Sequence, residues 1–475
     1  MLVGEGTKFF RDLSFLIAGQ VAARLIGFLA FAYLARSLEP EAYGSVEFIV
    51  GLAGLFSTMA DLGLGTIGIR RVAAAPSEGP LLAAQISIIR FCIALICALA
   101  MIIGVSSVSN SFVLRGLVLL YATSLLLGAW YQEWLLQSAG LMAQVALAQI
   151  LRMSVFFIVV VLLVRDSSDA LLVGWGEIAA VAAATAYSLY VQQQRIAPIR
   201  FFASVNNKHL INEALPIGLS SAIWSAAQYT PLFLMGAIVG GSDTGIFAAA
   251  NRLVASIATL SFVYHFNLYP AAARAAADNH KALVALMRNS FRLAAWATIG
   301  GALGLSLAAA PVLRIVFGPD FESAAPVLAI LIWIVPVMFL SNHARCSLIL
   351  AKLEVNVLFA QMSGLVTVGV LGFALVHSSD GIGAAAAALA GSLAVWSTSY
   401  ALAWLKKVPT PPLSLAARPL TLALALWFCA QTLALDPWVA TCAALIVYVF
   451  SAPLLDRALV SLARASADST QRQAP

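Results

Sequence analysis

Four arginines, Arg24, Arg90, Arg152 and Arg252, sit inside apolar runs such as GQVAARLIGFLAF and AQILRMSVFFIVV. A guanidinium at the centre of a membrane helix costs about 2.5–3.5 kcal/mol on insertion scales, so each position demands a reason. None has a carboxylate three or four residues away on its own helix to neutralise it. The chemistry open to them is anion binding, because the guanidinium fork pairs bidentately with phosphate oxygens and keeps its charge when partly desolvated. The competing role is an ion pair with a carboxylate on another helix, such as Glu47, Glu133, Glu177 or Glu213, that only fixes packing. Glu47, two turns into its helix, is a candidate to accept a coupling proton or cation, or to act as counter-ion to Arg24. Asp61 in MADLGLG lies beside glycines at a helix end and reads as a turn or cap as much as a coupling group.

Other polar residues offer less specific chemistry. Gln132, Gln137, Gln144 and Gln149, with Gln228, Tyr229, Asn251 and Tyr264, have the donors and acceptors to meet sugar hydroxyls, or equally to glue helices together. Pro216 and Pro231 interrupt one helix and Pro336 another; a bend is expected at Pro231, as a moving hinge or a static kink. His209, His265, His280, His343 and His377 are scattered, with no nucleophile–base spacing, metal-ligand cluster or phosphate-cradling glycine loop. Cys92, Cys97, Cys346, Cys429 and Cys442 lie in apolar stretches without ligand spacing and read as small hydrophobic residues. Neither an enzyme nor a cofactor is expected, and a bound metal is not expected either.

The elements that must position these groups follow from composition. Of 475 residues 62% are hydrophobic and 10% charged, against about 45–50% and about 25% in soluble domains, which excludes an ordinary soluble enzyme. At about 20 residues per span the apolar content supplies about fourteen membrane helices. Apolar runs place them near 13–36, 42–66, 80–106, 112–137, 141–164, 170–192, 208–240, 244–267, 284–311, 323–348, 353–377, 382–405, 415–435 and 437–456. The division between the third and fourth, around Val105–Leu120, is the weakest, and leaves a count of twelve to fourteen. The N-terminal stretch reads as an anchor rather than a cleaved signal, and the tail ARASADSTQRQAP as a polar disordered end.

With that topology Lys8, Arg11, Arg70, Arg71, Arg195, Arg200, Lys208, Arg274, Lys281, Arg288, Arg292, Arg345, Lys352, Lys406, Lys407, Arg418, Arg457, Arg464 and Arg472 share one side, against Arg36, Arg115, Arg165 and Arg314 on the other. The positive-inside rule then makes both termini cytoplasmic, and the formal charge of +6 records topology rather than a nucleic-acid partner.

The chain also repeats itself at a shift of about 200 residues. Gly44 in EAYGSVEFIVGLAG falls opposite Gly245 in SDTGIFAAANRLVA, Arg71 opposite Arg274, and LQSAGLMAQVALAQ opposite ILAKLEVNVLFAQ. Six helices separate the copies, so the repeats are parallel, related by an axis along the membrane normal. The expected architecture is all-α: an N-lobe over 1–200 (helices 1–6), a C-lobe over 201–408 (helices 7–12), and two terminal helices with a cytoplasmic tail over 409–475, around a central cavity.

The stretches 33–73, 130–152, 215–253 and 312–328, including YLARSLEPEAYGSVEFIVGLAGLFSTMADLGLGTIGIRRVA and VLRIVFGPDFESAAPVL, resemble the polysaccharide and O-antigen flippases. They are similar more broadly to the superfamily of multidrug, oligosaccharidyl-lipid and polysaccharide exporters. The resemblance implies alternating access between two lobes, carrying an undecaprenyl-diphosphate-linked oligosaccharide across the bacterial inner membrane for O-antigen, exopolysaccharide or capsule assembly. It implies diphosphate contacts for Arg24 and Arg252, in the opening helices of the two lobes, and secondarily for Arg90 and Arg152. H⁺ or Na⁺ would be the coupling ion, and a polymerase or chain-length complex a further partner. The alternative is a cation-coupled multidrug extruder of the same fold. Organic cations call for acidic and aromatic cavity walls, whereas the first helix carries Arg24 as its only central charge.

Overall fold

A computed structural model of the chain describes residues 2–196, 198 and 207–459. Arg200, Arg464 and Arg472, the expected lobe boundary at 200–201 and the tail beyond 459 lie outside the described residues, as do the side chains of Lys8 and Arg11. All regular structure among the described residues is helical. Seventeen α-helices follow in order: α1 (Leu2–Ser37), α2 (Pro40–Asp61), α3 (Leu64–Ala74), α4 (Gly79–Val108), α5 (Phe112–Gly128), α6 (Glu133–Ser138), α7 (Met142–Leu163), α8 (Ala170–Arg195), α9 (Asn207–Leu234), α10 (Gly241–Asp278), α11 (His280–Leu307), α12 (Ala309–Val316), α13 (Ala325–Leu331), α14 (Ile334–Leu350), α15 (Glu354–Leu405), α16 (Ser414–Thr432) and α17 (Pro437–Leu455).

Eleven helical segments among the described residues are long and apolar enough to cross a bilayer, and the pair α11–α12, bent by 78°, makes a twelfth. One of the eleven is α15, whose 52 residues are broken at Ser379 and Asp380. At about 1.5 Å per residue it is far longer than a bilayer core of about 30 Å. Its halves fold back on each other: Ser363 Oγ meets Thr398 Oγ1 at 3.0 Å, and a Cβ on Gly391 would sit 3.1 Å from the Gly364 carbonyl oxygen. With α15 as two spans and the 19-residue α16 beside α17, the fourteen expected segments are all present as helix. The protein is a multi-pass membrane protein.

The weakest division resolves at Ser109–Ser111. Ser111 caps α5 by accepting from Leu114 N, and Arg115 donates to the Ser106 and Ser109 carbonyls that end α4, the favoured place for a cation. Several expected spans are broken. The second ends at Asp61 because Leu62 and Gly63 take left-handed φ of 48° and 76°, and α3 continues beyond; the fourth divides into α5 and α6, and the tenth into α13 and α14.

The chain forms two compact units, Met1–Ala248 and Ala249–Pro475. Between membrane helices the driving force is close packing rather than water exclusion, so small residues mark the contacts. In unit one α1 lies along α7, with Gly19 against Ala146 and Phe31 stacked on Phe156 at 5.6 Å. The helix α9, which the repeat assigns to the second lobe, packs on α2 and α3 and belongs to unit one: Gly51 and Gly54 receive Tyr229, and a Cβ on Gly218 would stand 2.4 Å from the Leu62 carbonyl. Gly44 and Gly245, aligned by the repeat, touch each other; a Cβ on Gly44 would lie 2.6 Å from Gly245 N. Both copies keep glycine there because the two helix starts press backbone on backbone.

In unit two α11 packs on α14, α16 and α17. Gly300 and Gly304 admit Tyr448 and Leu445, Tyr448 OH donates to Trp296 O at 3.1 Å, and Arg292 pairs with buried Asp456 at 2.9 Å. The repeat is visible in the backbone of each unit. Leu141 N bonds Leu136 O at 2.9 Å and Gly140 N bonds Gln137 O at 3.0 Å; Leu353 N bonds Leu348 O and Lys352 N bonds Ile349 O, each at 2.9 Å. Gly140 (φ 71°) and Lys352 (φ 59°) occupy the same left-handed position.

Candidate functional site

Unit one holds a polar seam between α2, α4, α6, α7 and α8. Arg90 of α4 pairs with Asp61 at the end of α2, and its Nη1 faces Tyr131 O at 3.4 Å. Gly65 makes room for it, since a Cβ there would come within 2.8 Å of the guanidinium. Glu133 accepts from Gln149 Nε2 at 2.7 Å and Gln137 Nε2 at 3.0 Å. Gln132, fully buried, donates through Nε2 to Ser87 Oγ at 2.6 Å and through its backbone N–H to Ser188 Oγ at 3.2 Å. Gln144 accepts from Tyr187 OH, and Arg152 of α7 pairs with Glu177 of α8 at 2.5 Å. The glutamine ladder therefore ties α6, α7 and α8 together. At the end of the unit Arg71 joins α3 to α9 through Glu213, at 2.5 Å, and His209 Nδ1, at 2.8 Å.

The candidate residues divide accordingly. Arg90 and Arg152 each have a carboxylate on a neighbouring helix, and Asp61 is the partner of Arg90. Glu47 is 4% exposed and accepts from Tyr43 OH at 2.8 Å within α2. Arg24 has an exposed side chain on α1, and Arg252 lies half-buried on α10. They fall in different units. Pro231 sits in the last turn of α9, which runs through both prolines and then widens into a π-helical turn, Met235–Val239, closed by Gly240 N on Met235 O at 2.8 Å. Such turns concentrate at functional places in helices, and in the sequence only the bend expected at Pro231 pointed near this one. Beside it an apolar cavity of about 320 Å³ is lined by Gly44, Phe48, Leu52, Met101, Gly236 and Thr244.

Unit two carries a cluster the sequence did not signal, because its members are far apart in the chain. His265 of α10 and His343 of α14 stand with ring centroids 5.0 Å apart, and Ser290 of α11 bonds His343 Nε2 at 3.0 Å. Arg345 donates to Asn342 at 2.8 Å. Among the described residues no group of three or more His, Cys, Asp or Glu is arranged to hold a metal ion.

The profile of the polysaccharide biosynthesis protein family matches residues 9–276. The chain belongs to that family. No curated protein matches the sequence. Among solved structures, this family member is similar to lipid II flippase MurJ in an inward closed conformation, with a TM-score of 0.74, 14% identity, and 94% of this chain and 100% of that one covered. It is also similar to a multidrug resistance MATE family transporter of the MOP superfamily in an inward-facing conformation, with a TM-score of 0.62 at 14% identity over 83% and 98% of the two chains. A MOP superfamily transporter from Pyrococcus furiosus, described as having a binding pocket of reversed polarity, gives a TM-score of 0.52 at 12% identity over 84% and 94%. At these identities the likeness shows the fold: a polysaccharide biosynthesis protein built as MOP-superfamily flippases and transporters are built.

Proposed function

We propose that this protein is a flippase that carries undecaprenyl-diphosphate-linked oligosaccharide repeat units from the cytoplasmic to the periplasmic leaflet of the bacterial inner membrane, by alternating access of two lobes, for O-antigen, exopolysaccharide or capsule assembly. The observation that carries the reading is the pairing of polysaccharide biosynthesis family membership with the fold of a lipid II flippase, in a chain whose first helix bears Arg24 as its central charge. A diphosphate crossing a hydrocarbon core needs cations that stay charged, which arginine supplies. Arg24 and Arg252 take that role. Arg90 and Arg152 reach phosphate only by leaving Asp61 and Glu177, so packing is their first duty. The excess of Lys and Arg on one side puts both termini in the cytoplasm.

The fold of a multidrug transporter supports a second reading, a cation-coupled extruder, which a central arginine disfavours because it repels cationic drugs. The test is mass spectrometry of polyprenyl-diphosphate glycans from cells lacking the protein, then supplied with wild type or Arg24→Ala. A complete lipid-linked repeat unit should accumulate, be cleared by wild type and persist with Arg24→Ala. Unchanged glycan pools with altered sensitivity to cationic drugs would overturn the reading in favour of the extruder.

A further inference from the structure

We propose that His265 and His343 form one proton-binding site in unit two, and that a proton arriving there drives α10 and α14 apart. The chemistry of the pair stands on its own geometry; its place in a transport cycle rests on the flippase reading above.

The hydrogen-bond inventory fixes where the hydrogens are. His265 Nδ1 lies 2.8 Å from the Ser261 carbonyl oxygen, and His343 Nδ1 lies 2.9 Å from that of Phe339. A carbonyl only accepts, so both Nδ1 atoms carry hydrogen. That leaves both Nε2 atoms as lone pairs in the neutral rings. His343 Nε2 accepts from the Ser290 hydroxyl at 3.0 Å. The Nε2 lone pair of His265 faces the Nδ1–H of His343 at 3.4 Å, the rings being 83° apart in plane. Tyr264 OH closes the chain by donating to Ser290 O at 3.0 Å. In this state no two donors oppose each other.

A proton delivered from water has one place to go. His343 is fully buried and its Nε2 is occupied, whereas His265 is partly exposed and its Nε2 holds a weakly used lone pair. The new N–H bond forms there, no bond breaks, and the pair gains one positive charge. Now N–H meets N–H across 3.4 Å. The conflict is relieved if His343 gives up Ser290 and the Phe339 carbonyl, which is also within hydrogen-bonding reach of His265, or if α10 withdraws from α14. Because Ser290 belongs to α11 and Tyr264 to α10, the reset spans three helices.

Beyond the backbone carbonyls of Ser261 and Phe339, the groups around the pair offer the charge no anion once it forms. From α14 the facing cation is Arg345, which donates to Asn342 Oδ1 at 2.8 Å, and Asn342 Nδ2 reaches Ser261 Oγ at 3.2 Å. Among the described residues Arg345 has no carboxylate partner. From α10 the neighbour is Tyr264, from α11 Ser290 and the ring of Phe291, and Cys346 is packed away with Leu268, Ala272 and Met287. A proton opposed by a cation and unaccompanied by an anion is bound transiently, which suits a step that must reverse in every cycle.

The test uses the full chain in lipid nanodiscs, with ¹³Cε1-labelled histidine followed by NMR from about pH 8 to about pH 4, alongside amide hydrogen exchange. The two imidazoles should move together with one shared midpoint. Exchange over 255–275 should rise about tenfold on acidification in wild type and stay flat in His265→Phe. Ser290→Ala, which keeps the shape and removes the donor to His343, should displace the shared midpoint, and serves if His265→Phe does not fold. Two independent titrations, or the same rise in exchange in wild type and His265→Phe, would overturn the proposal. In cells, clearance of the lipid-linked glycan by His265→Phe should fall about tenfold or more relative to wild type; full clearance would remove the pair from the cycle. If wild type itself clears no glycan, the flippase reading fails while the titration still decides the proton site.

Discussion

The turns at 136–144 in unit one and 348–356 in unit two share a backbone and differ in charge. The register that lays Gly140 on Lys352 sets Glu133 opposite Arg345 and Tyr131 opposite His343. Glu133 stands within reach of the Arg90 charge and accepts from two glutamines, so this seam is held by anion–cation and anion–amide contacts. Arg345 meets an amide oxygen instead, and the histidines beside it are linked to hydroxyls and carbonyls. The two turns share their helix–turn–helix geometry, which packing demands, while the ionisable groups beside them differ in sign. The seam of unit one fixes its charges in pairs; the histidine cluster of unit two is arranged to change its charge.

The strongest way to break the contrast is to give unit one the charge of unit two. Glu133→Arg sets a second guanidinium near Arg90 and removes the acceptor for Gln137 and Gln149, at a cost above about 3 kcal/mol. Size-exclusion chromatography in mild detergent should find almost no monodisperse protein, and a well-folded variant would show that the seam tolerates a net cation.

Next, Asp61→Asn leaves Arg90, with 12% of its side chain exposed, with Glu133 as its one nearby anion and should destabilise by about 2 kcal/mol. The double variant Asp61→Asn, Arg90→Gln should recover about half of that in a thermal-unfolding cycle; strictly additive effects would mean that the two side chains do not act as a pair.

Glu177→Gln should cost less, about 1 kcal/mol, because Arg152 has 36% of its side chain exposed and can snorkel towards solvent. A loss as large as that of Asp61→Asn would place Arg152 deeper than the structure has it.

The smallest effect has the opposite sign. Lys352 holds φ 59° where its counterpart Gly140 has 71°, so Lys352→Gly should stabilise by about 0.5 kcal/mol and Gly140→Ala destabilise by about 1 kcal/mol. Equal changes at the two positions would mean that the turns are not equivalent.

What the sequence disclosed was governed by composition and local spacing. Apolar runs marked the helices, glycines aligned at 44 and 245 marked the repeat, and the stretch near 136–144 found its counterpart because both copies need the same left-handed turn. What it hid depended on distance along the chain. Asp61 and its glycines marked the turn at Leu62–Gly63, whereas the break between α11 and α12 lies inside a continuous apolar run, where hydropathy carries no information about bending. The carboxylates later found beside Arg90 and Arg152 are 29 and 25 residues away, beyond any helical spacing. His265 and His343, 78 residues apart, looked like scattered histidines because only tertiary folding brings them together.

The break in α15 has a practical consequence. Ser378, Ser379 and Asp380 are exposed, and no helical turn needs to continue through Ser379 and Asp380. A peptide epitope or a fluorescent reporter spliced between them interrupts no packed helix and should leave both flanking spans in place. If both termini are cytoplasmic, as proposed above, the splice point faces the periplasm, and an externally added protease should clip the tag in spheroplasts and spare it in inverted vesicles.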